Sequence, residues 1–437
     1  MIRPRARMRN ALRPACLLLA ALASALAAQE QPPPRLTGVV TAEGFSPIPI
    51  AVPAPEADPR AAGAALELVE TLRDDLAFAG FFDLVDPGVY GLVVPAKPGE
   101  FPHEAWRSVG ADAVVATRLA IVGERIDVEA RLADTASATF PFARRYGGGA
   151  DLVRRLAHQI ADDLVRQYTG RPGVATTRIA FSSKHGEGKE IYLMDYDGRR
   201  IRRLTTSGTL NLSPAWSPDG QRLAFVSWRS GSPAVHVMDS DGRLRALPTA
   251  GGSLNSAPAW FPDGTRIVYN SDVDGNSELY VVDLATGRNT RLTRTPAIET
   301  SPAVSPNGRE LAFTSDRSGS PQIYIMDAEG LNVRRVTHEG KYNDSPAWSP
   351  RGDRLAYVSR IEGRFDVLVL DLATGAASRL TRGEGSNEDP RWSPDGRHLV
   401  FASNRSGLYE IYTMAADGSA IRRLTRGEHG YTPDWSR

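Results

Sequence analysis

One phrase recurs at nearly constant spacing through the C-terminal part of the sequence, and it constrains the fold more than any other feature. Its full copies read SPAWSPDG, APAWFPDG, SPAVSPNG, SPAWSPRG and DPRWSPDG, and a shortened copy reads TPDWSR. The first proline of each copy lies 44 residues after the previous one, except for a last step of 43, from Pro214 to Pro433. Periods of about 40 to 50 residues are typical of propeller blades and of helical arrays, so the pattern inside one unit must decide between them.

Inside each unit, the phrase is followed by short β-rich runs. LAFVS, IVYNS, LAFTS, LAYVS and LVFAS come first, then runs such as LYVVD and IYIMD, and then RRLT or a similar run. Asp-Gly and Asn-Gly pairs between consecutive runs indicate tight hairpins, because such turns need a positive φ. Units of four antiparallel strands without a helical stretch exclude helical arrays and predict propeller blades.

The two ends of the repeat region complete each other. It begins near Ile179 with the second, third and fourth strands of a blade, and it ends with a first strand that contains Trp435. Pairing of these two pieces completes a sixth blade and removes the sheet edges that an open array would expose. The predicted fold is therefore an α/β N-terminal domain followed by an all-β six-bladed propeller that is closed by its C-terminal strand.

The residues before the propeller mix helix and strand signals. Apolar residues recur at helical spacing over 62–76, with Gly80 placed as a C-terminal cap, and again over 151–164, while 125–132 alternates strictly and predicts a half-buried strand. A small sheet covered by two helices on one face accommodates these parts. The predicted division is a signal peptide at 1–28, an α/β domain at 29–170, a linker at 171–178 and the propeller at 179–437.

The first 28 residues have the features of a secretory signal. Five arginines precede an apolar run over 15–27 that is too short to span a bilayer, and Ala-Leu-Ala at 25–27 suits a signal peptidase. A retained membrane anchor is the alternative, but we expect cleavage and no membrane span afterwards. Cleavage removes Cys16, the single cysteine, and shifts the formal net charge from +1 to −4. Without disulfides or a basic block, stability must come from core burial, and nucleic-acid binding is not expected.

Catalysis has little support in the sequence. No G-x-S-x-G motif occurs, and the seven histidines show no paired spacing typical of a zinc site, so we predict no enzyme, no cofactor and no metal. His158 lies near the apolar stripe of the second helix, where a packing or capping role is favoured over a ligand role. The tryptophans of the repeated phrase are interpreted as packing between blades. Binding of other proteins is the favoured function, and binding of a glycan or small ligand in the channel is the alternative.

The chain resembles the TolB family, periplasmic components of the Tol-Pal cell-envelope system of Gram-negative bacteria. The resemblance rests on the signal peptide, SPIPIAVPAP at 46–55, the run RRLAHQIADDLVRQYTGRPGVATTRIAFSS at 154–183, and the blades. It implies a periplasmic hub, expected to be monomeric, that links a TolA-like inner-membrane protein to the peptidoglycan-associated lipoprotein Pal. Support of outer-membrane integrity and of envelope constriction at cell division is implied with it.

The resemblance also implies two binding surfaces. The Pal-facing residues would lie in the loops before the first strand of each blade, which blade geometry places on one face near the channel: Leu254, Asn255, Ser256, Ala257, Glu299, Thr300, Asn343, Asp344 and Glu388. The TolA-facing segment would be the proline-rich arm at 28–36, with Gln29, Glu30, Gln31, Arg35 and Leu36. Glu299, Asp344, Glu388 and Asp389 would make the channel mouth acidic; a site for a hard cation such as Ca²⁺ and a solvated rim are the two alternatives there.

Overall fold

The computed structural model describes residues 46–95, 100–249, 251–427 and 429–437. The predicted signal peptide and the predicted partner-binding arm at 28–36 lie outside these described residues. Their interpretation therefore stays a prediction from the sequence.

The N-terminal domain is built on a mixed sheet. Its strands and helices are β1 (Ile48–Ala51), β2 (Glu56–Ala57), α1 (Ala62–Ala79), β3 (Phe82–Leu84), α2 (His103–Ser108), β4 (Ala113–Val122), β5 (Arg125–Asp134), β6 (Thr139–Gly149) and α3 (Val153–Thr169), with short 3-10 helices at Pro59–Ala61, Pro87–Leu92 and Ala150–Leu152. The strand order is β3-β1-β4-β5-β6, and β2 pairs with β4. Strands β4, β5 and β6 are antiparallel, whereas β1 runs parallel to β3 and β4.

The two long helices cover one face of this sheet, as predicted. Ile126, Val128 and Leu132 alternate along β5 and pack into one core with apolar residues of α1 and α3. Gly80 and Gly170 end the two helices in the left-handed conformation, at φ 67° and 73°. The short helix α2 was not predicted; its Trp106 packs in a separate cluster with residues of β4 and β5 that alternate with the first set.

Within the described ranges, the rest of the chain forms six four-stranded antiparallel sheets. Blade 1 contains β10 (Asn211–Trp216), β11 (Arg222–Ser227), β12 (Ala234–Asp239) and β13 (Leu244–Ala246). Blade 2 contains β14 (Asn255–Trp260), β15 (Arg266–Ser271), β16 (Glu278–Asp283) and β17 (Asn289–Arg291). Blade 3 contains β18 (Glu299–Val304), β19 (Glu310–Ser315), β20 (Gln322–Asp327) and β21 (Arg334–Arg335). Blades 4 and 5 are β22 (Asn343–Trp348), β23 (Arg354–Ile361), β24 (Arg364–Asp371), β25 (Ala377–Arg379); and β26 (Asn387–Trp392), β27 (His398–Ser403), β28 (Glu410–Ala415), β29 (Arg422–Arg423).

Blade 6 joins the two ends of the propeller. It contains β7 (Arg178–His185), β8 (Gly188–Asp195), β9 (Arg202–Arg203) and, as its first strand, β30 (Gly430–Trp435). β30 pairs antiparallel with β7, with Trp435 opposite Ile179. The predicted closure by the C-terminal strand is therefore present, and it leaves no open edge between the first and last blades.

The tryptophans of the repeated phrase pack between neighbouring blades. Trp260 and Trp392 lie in apolar clusters with residues of the preceding blade. The indole N–H of Trp260 donates to the carbonyl of Ala215 at 3.0 Å, and that of Trp392 donates to Ala347 at 3.1 Å, each on the preceding first strand. The buried indole N–H of Trp216 has no partner among the described residues. Where the bond forms, it fixes both the packing and the register of adjacent blades.

The N-terminal domain and the propeller share one core. Leu76 of α1, Ile160 of α3, Phe181 of β7 and Trp435 of β30 belong to the same apolar cluster. The segment between α3 and β7 is part of this packing, because Val174 and the residues near it are buried. The domain thus rests on the blade in which the ring closes.

A buried polar group crosses the same contact. His158 of α3 is 4% exposed, and its Nδ1 lies 2.8 Å from a carboxylate oxygen of Asp75 in α1. Tyr196 follows β8 in the chain, and its hydroxyl donates to the other carboxylate oxygen of Asp75 at 2.5 Å. Burial opposes a charge on the imidazole, but the hydrogen bond and attraction from Asp75 outweigh it, so the pKa of His158 is raised. Packing, the favoured role of His158 from its sequence position, agrees with this burial.

Candidate protein-binding face at the channel mouth

Strand direction separates the two faces of the propeller. In blade 1, Asn211 at the start of β10 pairs with Ser227 at the end of β11, whereas Trp216 pairs with Leu223 next to the Asp-Gly turn. The loops before the first strands and the hairpins between second and third strands therefore share one face, which we call the mouth face. The turns between first and second strands and those between third and fourth strands share the opposite face, the turn face.

Each first strand carries a β-bulge just below the mouth face. The register with the second strand shifts between its second and fifth residues in every blade of the described chain. The third residue, which precedes proline, has a positive φ: Ser213, Ala257, Ser301, Ser345, Asp389 and Thr432, at 45° to 54°. Positive φ in non-glycine residues costs energy and persists only where the surroundings impose it, so these bulges are fixed features of the mouth.

The bulge divides the sequence-predicted Pal-facing residues into two groups. Asn255, Glu299 and Asn343, the first residues of their strands, are between 0% and 2% exposed. Asn255 donates to the carbonyl of Gly251, and Glu299 forms an ion pair of 2.9 Å with Arg317. These three side chains hold the loops in place and are not accessible to a partner.

The other predicted residues remain at the surface of the mouth. Leu254, Ser256, Ala257, Thr300, Asp344 and Glu388 are all half-buried on the mouth face. Asp344 accepts a hydrogen bond from the Thr314 hydroxyl at 2.7 Å, and Glu388 accepts one from the Tyr409 hydroxyl at 2.5 Å. These six residues have fixed positions and still present part of their surface.

Carboxylates cluster at one side of the mouth. Burial raises the pKa of Glu388, and the nearby Asp389 and Asp344 raise it further by repulsion. Burial and Asp344 likewise raise the pKa of Asp389. Glu299 lies apart, in its ion pair with Arg317. Across the described ranges, no group of three or more His, Cys, Asp or Glu residues is arranged to hold a metal ion.

Aromatic residues stand beside these carboxylates and were missed by the sequence analysis. Tyr342 meets Phe365 edge to face, with ring centroids 5.5 Å apart. Tyr409 and Tyr431 lie 5.4 Å apart, and the ammonium group of Lys189 sits 3.7 Å from the Tyr431 ring. Tyrosine is enriched in protein interfaces because it offers a large rigid surface together with a hydroxyl. The sequence signal that could have identified these aromatic residues is their position next to the first strands and in the hairpins of the mouth face.

Taken together, the described residues define a class of protein: a six-bladed propeller with an N-terminal α/β domain packed on its closing blade and a rigid mouth face of tyrosines and carboxylates. Family models agree with this division. The TolB amino-terminal domain matches residues 37–140, and the TolB beta propeller domain matches 165–375 and 343–437. The propeller match covers more than half of the chain, which therefore belongs to the TolB family.

Individual relatives are consistent with this membership. The Tol-Pal system protein TolB of Geobacter sulfurreducens is 41% identical over 186 residues, which is 42% of this chain and 43% of that protein. The TolB of Anaeromyxobacter dehalogenans strain 2CP-1 is 37% identical over 221 residues, 49% of each chain. The chain thus spans about half the length of the curated relatives it matches. The crystal structure of TolB from Acinetobacter baumannii, 27% identical, aligns with a TM-score of 0.77 over 90% of this chain and 97% of that one.

Helices long and apolar enough to cross a membrane are absent from the part of the chain that the structure describes.

Proposed function

We propose that this protein is a periplasmic binding hub of the Tol-Pal system that acts through protein contacts rather than catalysis. Its mouth face binds the lipoprotein Pal, and its N-terminal arm at 28–36 binds a TolA-like inner-membrane protein. Linking the two partners supports outer-membrane integrity and envelope constriction at division. Family membership supports the system, and the composition of the mouth face supports the mode of action.

The observation that carries the proposal is the pairing of aromatic and acidic side chains at the mouth. Tyr342 and Asp344, and likewise Tyr409 and Glu388, are neighbours there. A partner can bury the tyrosine rings while its own donors meet the carboxylates. Such combinations concentrate binding free energy in a few residues, with the surrounding polar rim excluding water.

Rigidity of the mouth favours this function as well. The bulges and the buried first residues fix the loops before a partner arrives, which lowers the entropy lost on binding. The accessible Pal-facing residues are then Leu254, Ser256, Ala257, Thr300, Asp344 and Glu388, and the buried Asn255, Glu299 and Asn343 position them.

Calorimetry with the soluble domain of the Pal encoded by the same genome tests the mouth. Tyr342→Ala should weaken binding by about 30-fold, as expected for an interface tyrosine. Leu331→Ala is the matched control, because Leu331 is 64% exposed on the turn face. Equal affinity of both variants and the unchanged protein would exclude the mouth face as the Pal site.

Deletion of residues 28–36 tests the second surface. Binding of the TolA C-terminal domain should be lost while Pal still binds the propeller. Equal loss of both partners would contradict the assignment of two separate sites. If no protein partner is recovered from envelope extracts and sugars are retained instead, the protein is a glycan-binding propeller.

A further inference from the structure

A groove separate from the mouth lies between α3 and the outer part of blade 6. It encloses about 730 Å³, and its walls come from both domains. Helix α3 contributes one face, including Arg155, Gln159, Asp162 and Arg166, which recur at the three- and four-residue spacing of a helix side. The propeller contributes the other wall from β7, β8 and the loop before β9.

Positive charge dominates this groove. Five arginines line it: Arg155, Arg166, Arg178, Arg200 and Arg202. All five are exposed, and none forms an ion pair with another residue of the described chain. Arg178 is exposed as a whole residue but partly desolvated at its guanidinium, which lowers its pKa; repulsion from Arg202 and Arg155 lowers the pKa further, and attraction from Asp195 opposes the shift.

The acidic residues of the groove do not balance these arginines. Asp162 accepts hydrogen bonds from the backbone N–H groups of Ala175 and Thr176, at 2.8 and 2.9 Å. Asp163 accepts from Arg144 and from Tyr146, at 2.8 and 2.7 Å. Asp195 is the remaining carboxylate in the lining. Asp195 attracts Arg178 and Arg200, but five arginines against three aspartates leave an excess of positive charge for a ligand.

A buried nitrogen on the same lining also lacks a partner. His158 lines the groove, and its Nδ1 is engaged by Asp75. Its Nε2 is buried and has no hydrogen-bond partner among the residues that the structure describes. An unsatisfied buried polar atom costs free energy, and an acceptor on a ligand in the groove would supply the missing partner.

We propose that this groove is a docking site for an acidic peptide segment of another protein. Guanidinium groups bind carboxylates with two parallel hydrogen bonds, which makes arginine the residue suited to such a ligand. Arg155 and Arg166 are 11 residues apart on α3, or about 16 Å, a distance that an extended peptide of about five residues spans and a single small anion does not.

An apolar residue in the lining favours a peptide over a polyphosphate chain. Pro172 lies exposed among the arginines, whereas Ala175, Leu193 and Met194 are buried. Pro172 offers a contact to the methylene groups of a glutamate side chain or to the peptide backbone, for which polyphosphate has no counterpart. The lining of the groove shares no residue with the mouth face or with the segment 28–36, so the proposal does not depend on the function proposed above.

Fluorescence anisotropy with labelled hexaglutamate tests the site on the full mature chain at about 50 mM salt. The double variant R178Q/R202Q should bind about tenfold more weakly, because it removes two exposed charge contacts. The matched control is R243Q/R309Q, which makes the same charge change at exposed positions of blades 1 and 3 and should bind within about twofold of the unchanged protein.

A second measurement locates the peptide. Phenylglyoxal modifies accessible arginines, and bound hexaglutamate should protect Arg155, Arg178 and Arg202 but not Arg309. Unlabelled tripolyphosphate should displace hexaglutamate at least about tenfold less effectively than unlabelled hexaglutamate does. Absence of hexaglutamate binding, equal weakening in both double variants, protection of Arg309 alone, or displacement by tripolyphosphate at equal concentration would each overturn the proposal.

Discussion

The boundary between blades 1 and 2 and the boundary between blades 5 and 6 are built from the same repeated phrase, yet they pack differently. At the first boundary, Val235 of blade 1 and Trp260 and Ile267 of blade 2 form a cluster confined to the two blades. At the second, Ile411 and Trp435 belong to the core that continues into the N-terminal domain. The repeat supplies the contact between blades, and the closing blade adds a second partner to it.

The hydrogen bonds of the repeated tryptophan's indole N–H differ in the same way. Trp260 donates to the carbonyl of Ala215 on the preceding first strand, whereas Trp435 donates to the Thr177 hydroxyl, 2.7 Å away, in the segment leading into β7. The Ser436 N–H also donates to the Arg178 carbonyl at 2.8 Å. The last copy of the phrase thus joins the chain end to the domain junction. Its loss should therefore matter more than the loss of an internal copy.

Truncation after Gly430 gives the largest expected effect. It removes most of β30, opens the ring and exposes the edge of β7, so we expect thermal unfolding at least about 10 °C lower and a tendency to aggregate. Differential scanning calorimetry measures the change. Removal of Arg437 alone, an exposed residue, is the control and should leave the unfolding temperature unchanged. An unaltered temperature after truncation would show that closure contributes nothing to stability.

Trp435→Ala and Trp392→Ala compare the closing blade with an internal one directly. The two side chains are similarly buried, at 4% and 7% exposure. We expect a loss of about 4 kcal/mol for Trp435→Ala and about 3 kcal/mol for Trp392→Ala, because only the first also loosens the domain contact. Urea unfolding followed by circular dichroism measures both. The reverse order would contradict a special role of the closing blade.

His158→Gln tests the polar group that crosses the domain contact. Removing the imidazole leaves Asp75 buried with one partner fewer, which should cost about 3 kcal/mol in the free energy of unfolding. Asp162→Asn in the same helix is a useful comparison, since the hydrogen bonds of the Asp162 carboxylate within the described chain go to residues 175 and 176. Urea unfolding at pH 6 measures the loss. A loss in the free energy of unfolding within error of zero would show that the His158 imidazole does not stabilise the domain contact.

The same variant should change the pH dependence of stability. The pKa of His158 is raised in the folded protein, so its contribution is complete below its unfolded pKa of about 6.5 and is lost as pH rises through the folded pKa. The pKa of Asp75 is also raised by burial, which has the same sign. We expect the unchanged protein to lose stability from pH 6 to pH 9 more steeply than His158→Gln. Parallel pH curves would contradict this linkage.

Thr381→Val gives the smallest expected effect and concerns a bond network that blade 1 lacks. The Thr381 hydroxyl donates to Asp366 at 2.8 Å and accepts from the Val367 N–H at 2.9 Å, whereas blade 1 has Ala234 and Pro248 at the equivalent positions of Asp366 and Thr381. The Asp366 carboxylate and the Val367 N–H each lose a buried hydrogen-bond partner, so we expect the free energy of unfolding to fall by about 1.5 kcal/mol.

Thr290→Val on the exposed side of β17 is its control and should change stability by less than about 0.5 kcal/mol. Urea unfolding of both variants measures the difference. If Thr381→Val also leaves the free energy of unfolding unchanged, the network is dispensable in blade 4, just as blade 1 folds without it.

Much of the fold could be predicted because it depends on local signals. The glycines of the turns between first and second strands have positive φ, from 64° at Gly220 to 74° at Gly352, as tight hairpins require. Gly80 and Gly170 end their helices for the same reason. The period of 44 residues gave the blade, and the unmatched strands at its ends gave the closure. Each of these features is written within a few neighbouring residues or in a regular spacing.

The candidate site could be predicted only in part, because the bulge acts between strands. Position in the loop correctly assigned Asp344 and Glu388 to the mouth face, but the same reasoning included Asn343 and Glu299, whose side chains turn into the blade. The pattern of residues along one strand does not reveal a register shift against the next strand. Tyr409 lies in the hairpin between β27 and β28, and it meets Glu388 of the first strand only when the blade is folded.

The repeat, the hairpins, the helix ends and the pairing of β30 with the beginning of the propeller follow from backbone preferences and periodicity, so the amino-acid sequence specifies them directly. The packing of the two domains was needed to show that Trp435 joins the core of the N-terminal domain, that Asp75, His158 and Tyr196 meet, and that arginines of α3 face those of blade 6. These contacts join residues up to hundreds of positions apart, and their geometry depends on how two domains pack rather than on any local pattern.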